Sequence, residues 1–225
     1  MYARLFILAV TVGATPVEAA DFTFPSGDDF AVEKVAGSEL AHDIYTLTLD
    51  ERGRVFVSGR GYIRRLDDRD GDGHFDAAIE YAAGPGSGCM GMAFRDGYLY
   101  TTGGKGLERY EDKDDDGKAD GPPKLLLALA TGGEHSSHAL RFGPDGDLWF
   151  LGGNYCRLRH DQVGQFSPVK DHFAGLFCRI AIDGSNVEVF SEGMRNAYDF
   201  DFPKILSNRL MTIMVLHSKI HVMLK

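Results

Sequence analysis

A repeat with a fixed period constrains the fold of this chain more than any other feature. Residues 55–76, VFVSGRGYIRRLDDRDGDGHFD, align without gaps onto residues 99–120, LYTTGGKGLERYEDKDDDGKAD, at an offset of 44. The same opening returns at residues 148–152, LWFLG. A period of about 40–50 residues is typical of β-propeller blades, whereas most solenoid repeats are shorter. The repeat therefore predicts a propeller.

Each copy follows a short apolar segment and a tight turn. The apolar segments are residues 45–49, 90–94 and 139–142, and the turns contain Gly53, Gly97 and Gly146. Short apolar strands joined by Asp–Gly turns predict antiparallel meanders, and no segment before residue 200 has sustained helical periodicity. We expect an all-β fold, a β-propeller of four-stranded antiparallel blades with boundaries near residues 40–90, 90–138 and 139–183. Dividing residues 21–202 by the repeat length predicts about four blades, an incomplete portion of a propeller.

The two ends of the chain differ from its body. Residues 1–20 combine Arg4, an apolar run and small residues before position 21, which predicts a secretory signal peptide and a periplasmic or secreted protein. An uncleaved anchor or a buried strand is the alternative. Residues 21–202 form the predicted propeller portion. Residues 203–225 contain neither glycine nor acid, and we interpret them as an atypical tail, from a truncated or frame-shifted gene end or an amphipathic helix.

Charge and cysteine content narrow the range of partners. The formal net charge is −9, which disfavours nucleic acid and favours divalent cations. There are three cysteines, Cys89, Cys156 and Cys178, and no CxxC motif, which excludes a dithiol redox site of that type and covalent c-type haem. In an oxidising compartment Cys156 and Cys178 could pair, or all three could be core residues.

Two acidic segments, residues 68–76 and 112–120, both fit the pattern DxDxDGxxD. Alternate carboxylates converge on one point when such a chain curls, and the glycine permits the sharp turn. The last carboxylate stands at position nine and no glutamate follows at twelve, so the pattern resembles integrin-type propeller loops rather than EF-hands. We predict one structural calcium ion per loop, with an ion-free acidic turn as the alternative. The predicted ligands are Asp68, Asp70, Asp72 and Asp76 in one loop and Asp112, Asp114, Asp116 and Asp120 in the other.

Three further segments carry a family resemblance. Residues 134–154, EHSSHALRFGPDGDLWFLGGN, resemble the region of the catalytic histidine in soluble quinoprotein glucose dehydrogenases and related glucose/sorbosone dehydrogenases. Residues 193–202, GMRNAYDFDF, resemble the G-[LM]-R-N segment of that family, and residues 88–94, GCMGMAF, resemble its GLLGxAF strand. The overall sequence pattern of the chain also resembles that of exported membrane-bound dehydrogenase-like propellers of planctomycete-type bacteria. The resemblance implies a six-bladed propeller that binds pyrroloquinoline quinone (PQQ).

The same resemblance implies roles for individual residues. Glu134 and His135 match the acid–His pair, Asn154 stands where the family has the carboxylate partner of the histidine, and Arg195 and Asn196 match the quinone contacts. A neutral histidine is suited to accept the hydroxyl proton of a sugar or alcohol near pH 7, and a guanidinium can stabilise charge on quinone oxygens. The implied partners are a sugar or alcohol substrate and an electron-accepting cytochrome.

The second histidine, His138, lies three residues after His135. On a β-segment this spacing places the two side chains on opposite faces, so we expect His135 alone to accompany Arg195 and Asn196. His138 is then a polar residue at a strand edge. Asn154 and the absence of later family motifs leave a second function open, in which the chain is an inactive dehydrogenase relative or a calcium-stabilised, non-catalytic propeller that binds a glycan or a protein.

Overall fold

The structure is a computed structural model that describes residues 34–173 and 175–202. Twelve β-strands and one short 3-10 helix, His160–Gln162, make up the regular structure of this part. The predicted signal peptide and the C-terminal tail lie outside the described residues. No helix in the described part is long and apolar enough to cross a membrane.

The strands form three four-stranded antiparallel sheets, each an up-and-down meander in sequence order. Blade 1 contains β1 (Thr46–Leu49), β2 (Val55–Gly59), β3 (Tyr62–Asp67) and β4 (Ala77–Ala82). Blade 2 contains β5 (Gly91–Arg95), β6 (Tyr98–Gly103), β7 (Gly106–Glu111) and β8 (Lys124–Ala128). Blade 3 contains β9 (Ser137–Phe142), β10 (Leu148–Gly152), β11 (Gly175–Ile180) and β12 (Glu188–Met194). The predicted β-propeller portion is confirmed.

The number of blades in the described part is three rather than about four. Blade 3 extends to Met194, beyond the predicted boundary at residue 183. The cause is the connection between β10 and β11, residues 153–174, which is much longer than its counterparts in blades 1 and 2. A repeat length taken from two compact blades therefore gives a higher blade count than the three sheets of the described residues.

The gapless repeat has a direct structural counterpart. In blade 1 Val55 pairs with Leu66, and in blade 2 Leu99 pairs with Tyr110, which are the same positions 44 residues apart. The turn between β5 and β6 has two residues, Asp96 and Gly97, and both have positive φ. Such turns match the right-handed twist of the flanking strands, which explains the Asp–Gly signal.

Apolar side chains fill the spaces between blades. Phe56 and Ile63 of blade 1 pack against Leu99 of blade 2, and Tyr100 of blade 2 belongs to the cluster that contains Phe150 of blade 3. Each buried aromatic or branched side chain stabilises the fold by about 1.5–3 kcal/mol. Because successive side chains of a strand point to opposite faces, each middle strand supplies residues to two such interfaces.

The outer faces of the two end blades are covered by the chain itself. On blade 1, Val57 and Leu66 pack against the segment around Ala41. On blade 3, Trp149 and Phe177 pack against the segment after β12, which includes Phe200. The ion pair between Arg141 and Asp199, with 2.7 Å between Nη2 and Oδ2, ties that segment to β9.

The first strands of the blades lie side by side, β1 next to β5 and β5 next to β9. We call the edge of the blades where these first strands begin the upper edge, and the opposite edge the lower edge. In an antiparallel meander the chain reaches the upper edge before the first strand and after the second and fourth strands. Residues 133–136, 153–155 and 195–196 of blade 3 therefore share the upper edge, while both acidic loops lie on the lower edge.

Candidate functional site

Three backbone segments converge at the upper edge of blade 3. Tyr155 N–H donates to the carbonyl oxygen of His135 at 2.8 Å, and Asn154 N–H donates to the carbonyl oxygen of Arg195 at 2.8 Å. Gly153 lies between these contacts, and a Cβ there would lie 2.4 Å from the His135 oxygen. Only glycine permits this close approach. The structure thus brings together residues that are about sixty positions apart in sequence.

The imidazole of His135 is held by Asn154. Its Nδ1 lies 2.8 Å from Asn154 Oδ1, and its ring centroid lies 5.4 Å from that of Tyr155. An amide oxygen only accepts, so Nδ1 carries the proton and Nε2 keeps a free lone pair. His135 is half-buried, whereas Tyr155 is 61% exposed. The arrangement can accept a proton at Nε2.

The remaining predicted residues at this edge are polar side chains that lack an ion pair or a hydrogen bond within the described residues. Glu134 is exposed, and its carboxylate forms no ion pair with the described residues. Arg195 is also exposed, and its guanidinium has no acidic partner in the described part of the chain. The Asn196 side-chain oxygen is buried and accepts no hydrogen bond there. The Arg195 guanidinium can therefore bind a ligand that carries negative charge, whereas the Glu134 carboxylate and the Asn196 oxygen can only accept hydrogen bonds.

His138 is the second residue of β9, which is an edge strand of its sheet, and its side chain is fully buried. His135 lies in a turn before β9, so the alternation that would separate the two histidines does not apply. Burial lowers the pKa of His138; the nearby Asn196 side chain opposes this shift, and His135 adds to it. Both histidines therefore belong to the same region.

A cavity of about 220 Å³ runs along the first strands of the three blades. Its lining includes Thr46 of β1, Met92 of β5 and Arg141 of β9, together with Tyr198 and Asp199. The Tyr198 ring centroid lies 5.4 Å from that of His138. The cavity thus adjoins the residues beneath the candidate site.

The acidic loops form two carboxylate clusters on the lower edge. Carboxylate oxygens of Asp68, Asp70 and Asp76 lie within 4.8 Å of one another, and so do those of Asp112, Asp114 and Asp116. The other two predicted ligands, Asp72 and Asp120, lie outside these clusters. Asp72 Oδ1 accepts from His74 N at 2.7 Å, and Asp120 Oδ2 accepts from Lys113 N at 2.9 Å.

The second acidic loop is docked on blade 1. Arg54 Nη2 lies 2.7 Å from Asp115 Oδ1, and Arg52 also pairs with Asp115. Ala119 N–H donates to the carbonyl oxygen of Tyr81 at 2.8 Å. Burial raises the pKa of Asp112, and the backbone N–H of Gly117 opposes this shift. A cation in this loop would offset the cost of gathering its carboxylates.

All three cysteines are free thiols in the structure, so the Cys156–Cys178 disulfide is not formed. Each is buried, in line with the alternative prediction of core residues. Burial raises the pKa of Cys89 to about 11 and that of Cys156 to about 12. Such thiols are poor nucleophiles at neutral pH, which sets them apart from the candidate site.

The meander blades and the convergent His–Asn and Arg–Asn groups define a propeller with one polar site at its upper edge. The chain belongs to the family described as Domain of unknown function (DUF7133), whose sequence model matches residues 17–205. No curated protein matches the chain.

Two solved structures share the fold. One is the PQQ-bound form of an aldose sugar dehydrogenase from Streptomyces coelicolor, 20% identical with a TM-score of 0.53, for which the match covers 72% of this chain and 54% of that protein. The other is a protein described as an oxidoreductase (glucose dehydrogenase) from Thermus thermophilus, 20% identical with a TM-score of 0.51, for which it covers 77% and 58%. The chain thus spans little more than half the length of either protein.

Sequence reasoning assigned no functional role to three residues that adjoin this site. Tyr155 follows Asn154 directly and places its ring against His135, while Tyr198 follows Asn196 by two residues and reaches the cavity. His138 lies under both segments. The only sequence signal for them is proximity to the family-like segments.

Proposed function

We propose that this chain contains the catalytic base and quinone-contacting residues of an exported, quinone-dependent sugar or alcohol dehydrogenase. The observation that carries the proposal is the hydrogen bond between His135 Nδ1 and Asn154 Oδ1 in a segment tied to Arg195. It leaves Nε2 as a proton acceptor in a segment bonded to the backbone of Arg195, whose guanidinium has no ion pair among the described residues; alcohol oxidation next to an anionic quinone requires these two kinds of group. The fold shared with two sugar dehydrogenases supports the substrate class.

The residues present fit PQQ as the cofactor. Arg195 has no ion pair within the described part, and the Asn196 amide carries an NH₂ group, so both side chains can donate hydrogen bonds to carboxylate and carbonyl oxygens. When bound, PQQ supplies the two-electron oxidant. The chain itself orients the ligand through Arg195 and Asn196 and keeps Nε2 of His135 free for the substrate proton.

Proton transfer is the step that His135 performs in this proposal. Nε2 accepts the proton of the substrate hydroxyl as the carbon-bound hydrogen leaves with its electron pair to the oxidant, so the alcohol becomes a carbonyl. Asn154 fixes the tautomer of His135, but a neutral amide stabilises an imidazolium less than a carboxylate does. We therefore expect slower turnover than in a chain with aspartate at this position. Glu134, exposed beside the ring, supplies the nearest negative charge along the chain.

We also propose that the two carboxylate clusters bind one calcium ion each, with a purely structural role. Hard oxygen ligands in alternate positions suit calcium, and neutralisation lowers the repulsion within each loop. On the lower edge, such ions would lie on the side of the blades opposite His135. Export to the periplasm or the medium, where calcium is abundant, and electron transfer to a cytochrome belong to the same proposal, as does kinship with exported dehydrogenase-like propellers.

An activity assay tests the proposed function. The chain is incubated with PQQ, calcium, a panel of aldoses and alcohols, and a dye acceptor, and dye reduction is followed. We expect turnover that depends on PQQ and falls when Asn196 or Arg195 is replaced by alanine. PQQ binding without turnover would favour a catalytically inactive relative, and binding of neither PQQ nor sugar would overturn the proposal in favour of a non-catalytic propeller that binds another ligand.

A further inference from the structure

A buried histidine beneath the candidate site has no hydrogen-bond partner. His138 is 0% exposed, and neither Nδ1 nor Nε2 makes a hydrogen bond within the described residues. The side-chain oxygen of Asn196 is likewise buried and unpaired. Buried polar groups are normally paired because an unmade hydrogen bond is costly in a water-free environment. Two unpaired groups of complementary chemistry in one place call for a shared explanation.

The position of His138 links the two segments that form the site. The polar groups that face its ring are the side chain of Asn196, the main-chain carbonyl of Glu134 and the imidazole of His135. The ring of Tyr198 lies against it with 5.4 Å between centroids. The main chain of His138 is held separately, since its carbonyl accepts a hydrogen bond from Thr102 Oγ1 at 2.8 Å. His138 is thus a rigidly placed ring between the Glu134–His135 turn and the Arg195–Asn196 turn.

The charge state of His138 determines what it can offer. Burial lowers its pKa, so the ring is neutral and carries one N–H donor and one acceptor nitrogen. The interaction with Asn196 acts in the opposite direction, which is the effect of an acceptor facing the imidazole N–H. The unpaired oxygen of Asn196 is such an acceptor.

We propose that His138 is a positioning residue that donates a hydrogen bond from its imidazole N–H to Asn196 Oδ1 and so directs the Asn196 NH₂ group toward the ligand. With the oxygen held below, the two N–H donors of the amide face the upper edge. They complement a ligand that presents carboxylate or quinone oxygens. What Asn196 binds rests on the proposed function, whereas the hydrogen bond itself does not.

The hydrogen bond is tested first on the chain without cofactor. In a ¹⁵N-labelled sample, the side-chain NH₂ resonances of Asn196 are assigned by their loss in Asn196→Ser. We expect His138→Leu to shift them toward the values of a free amide, while His172→Leu leaves them unchanged. His172 is a matched control because it is also buried and also has an unpaired ring nitrogen, but lies in the β10–β11 connection. Unchanged Asn196 resonances in His138→Leu would overturn the proposal.

The consequence for ligand binding is tested by titrating PQQ into the same variants. We expect His138→Leu to weaken binding roughly 3- to 10-fold, the worth of one hydrogen bond. His138→Asn or His138→Gln, whose amide nitrogens take the positions of Nδ1 and Nε2, should restore it, and His172→Leu should have no effect. Equal losses in the leucine, asparagine and glutamine variants would show a packing role only and refute the positioning role. If the unaltered chain binds no PQQ, the proposed function fails, and the resonances of Asn196 alone decide the role of His138.

Discussion

The two edges of the blades use their charged residues differently. On the lower edge the arginines are committed to neighbours: Arg54 pairs with Asp50 and Asp115, and Arg179 pairs with Asp145. On the upper edge of blade 3, Arg195 has no ion pair within the described residues, and the buried side chains of Ser137, His138 and Asn196 carry polar atoms without a hydrogen-bond partner there. Ion pairs within the protein hold the loops of the lower edge in place, whereas the guanidinium of Arg195, unpaired among the described residues, can bind a ligand. We therefore propose a structural role for the lower edge and a recognition role for the upper edge.

The largest expected effect is a difference in turnover between a variant on the upper edge and a variant on the lower edge. His135→Ala should lower turnover by roughly 10²–10⁴-fold, the usual contribution of a positioned base. Asp112→Asn on the lower edge should change turnover by less than about threefold once calcium and temperature are chosen to keep it folded. Steady-state rates with PQQ, sugar and a dye acceptor measure both variants. Equal losses would mean that the edges are not functionally distinct.

Calcium should stabilise the chain through the lower edge alone. At a free concentration of about 100 times the dissociation constant, each occupied site adds about 2.7 kcal/mol to the free energy of unfolding. Thermal unfolding with calcium and with a chelator measures the effect. Asp68→Asn and Asp112→Asn should each remove part of it, while Asp96→Asn, in the exposed β5–β6 turn, is a matched control. Identical melting temperatures with and without calcium would return both loops to ion-free acidic turns.

The ion pairs of the lower edge make their own contribution to stability. Asp50 Oδ1 accepts hydrogen bonds from the backbone N–H groups of Arg52 and Arg54 at 3.0 and 2.8 Å, and its carboxylate is almost fully buried. Asp50→Ala should lower the free energy of unfolding by about 1–3 kcal/mol because it leaves these donors unpaired. The exposed pair of Glu80 with Arg64 is the control, since Glu80→Ala should cost less than about 1 kcal/mol. Denaturant unfolding measures both, and equal costs would contradict the assignment.

The smallest expected effect is a pH dependence of the free energy of unfolding, caused by His138 at the upper edge. Because the pKa of His138 is lower in the folded chain than its usual 6.5, the unfolded chain binds the proton first. The stabilising contribution of neutral His138 is therefore complete above about pH 6.5 and is lost as the pH falls toward the folded-state pKa. His138 alone changes the free energy of unfolding by at most on the order of 1.4 kcal/mol per pH unit.

Urea unfolding between pH 5 and 8 measures this slope. It should be reduced in His138→Leu and kept in His172→Leu. A slope that is the same in His138→Leu and in the unaltered chain would show that His138 is not the titrating group.

Local features of the fold were predictable from the sequence, and features that depend on the path of the chain were not. The gapless offset fixed the register of blades 1 and 2, because Val55 and Leu99 occupy equivalent positions in equivalent sheets. The difference between about four expected blades and the three in the described residues comes from the β10–β11 connection, residues 153–174, which carries no repeat signal. A periodic pattern reports regular elements only, so an irregular insertion remains invisible to it.

The candidate site shows the same limit. The meeting of His135 and Arg195 was expected only from the family resemblance, since nothing local in either segment points to the other. The expectation that strand alternation separates the two histidines depended on a single boundary: His135 lies in a turn rather than on β9, so the alternation does not extend to it. Strand ends are the least certain part of any prediction from sequence, and here the boundary determines which histidine is buried.

The central claim is that the upper edge recognises an anionic quinone while the lower edge does not contribute to that recognition. Calorimetric titration of PQQ into the chain in the presence of calcium tests it most directly, with Arg195→Ala and Asp112→Asn measured alongside. The account predicts one PQQ per chain, a loss of roughly 10-fold or more in affinity for Arg195→Ala, and an affinity within about threefold of the unaltered chain for Asp112→Asn. Absence of binding, or binding that survives Arg195→Ala and is lost in folded Asp112→Asn, would contradict it.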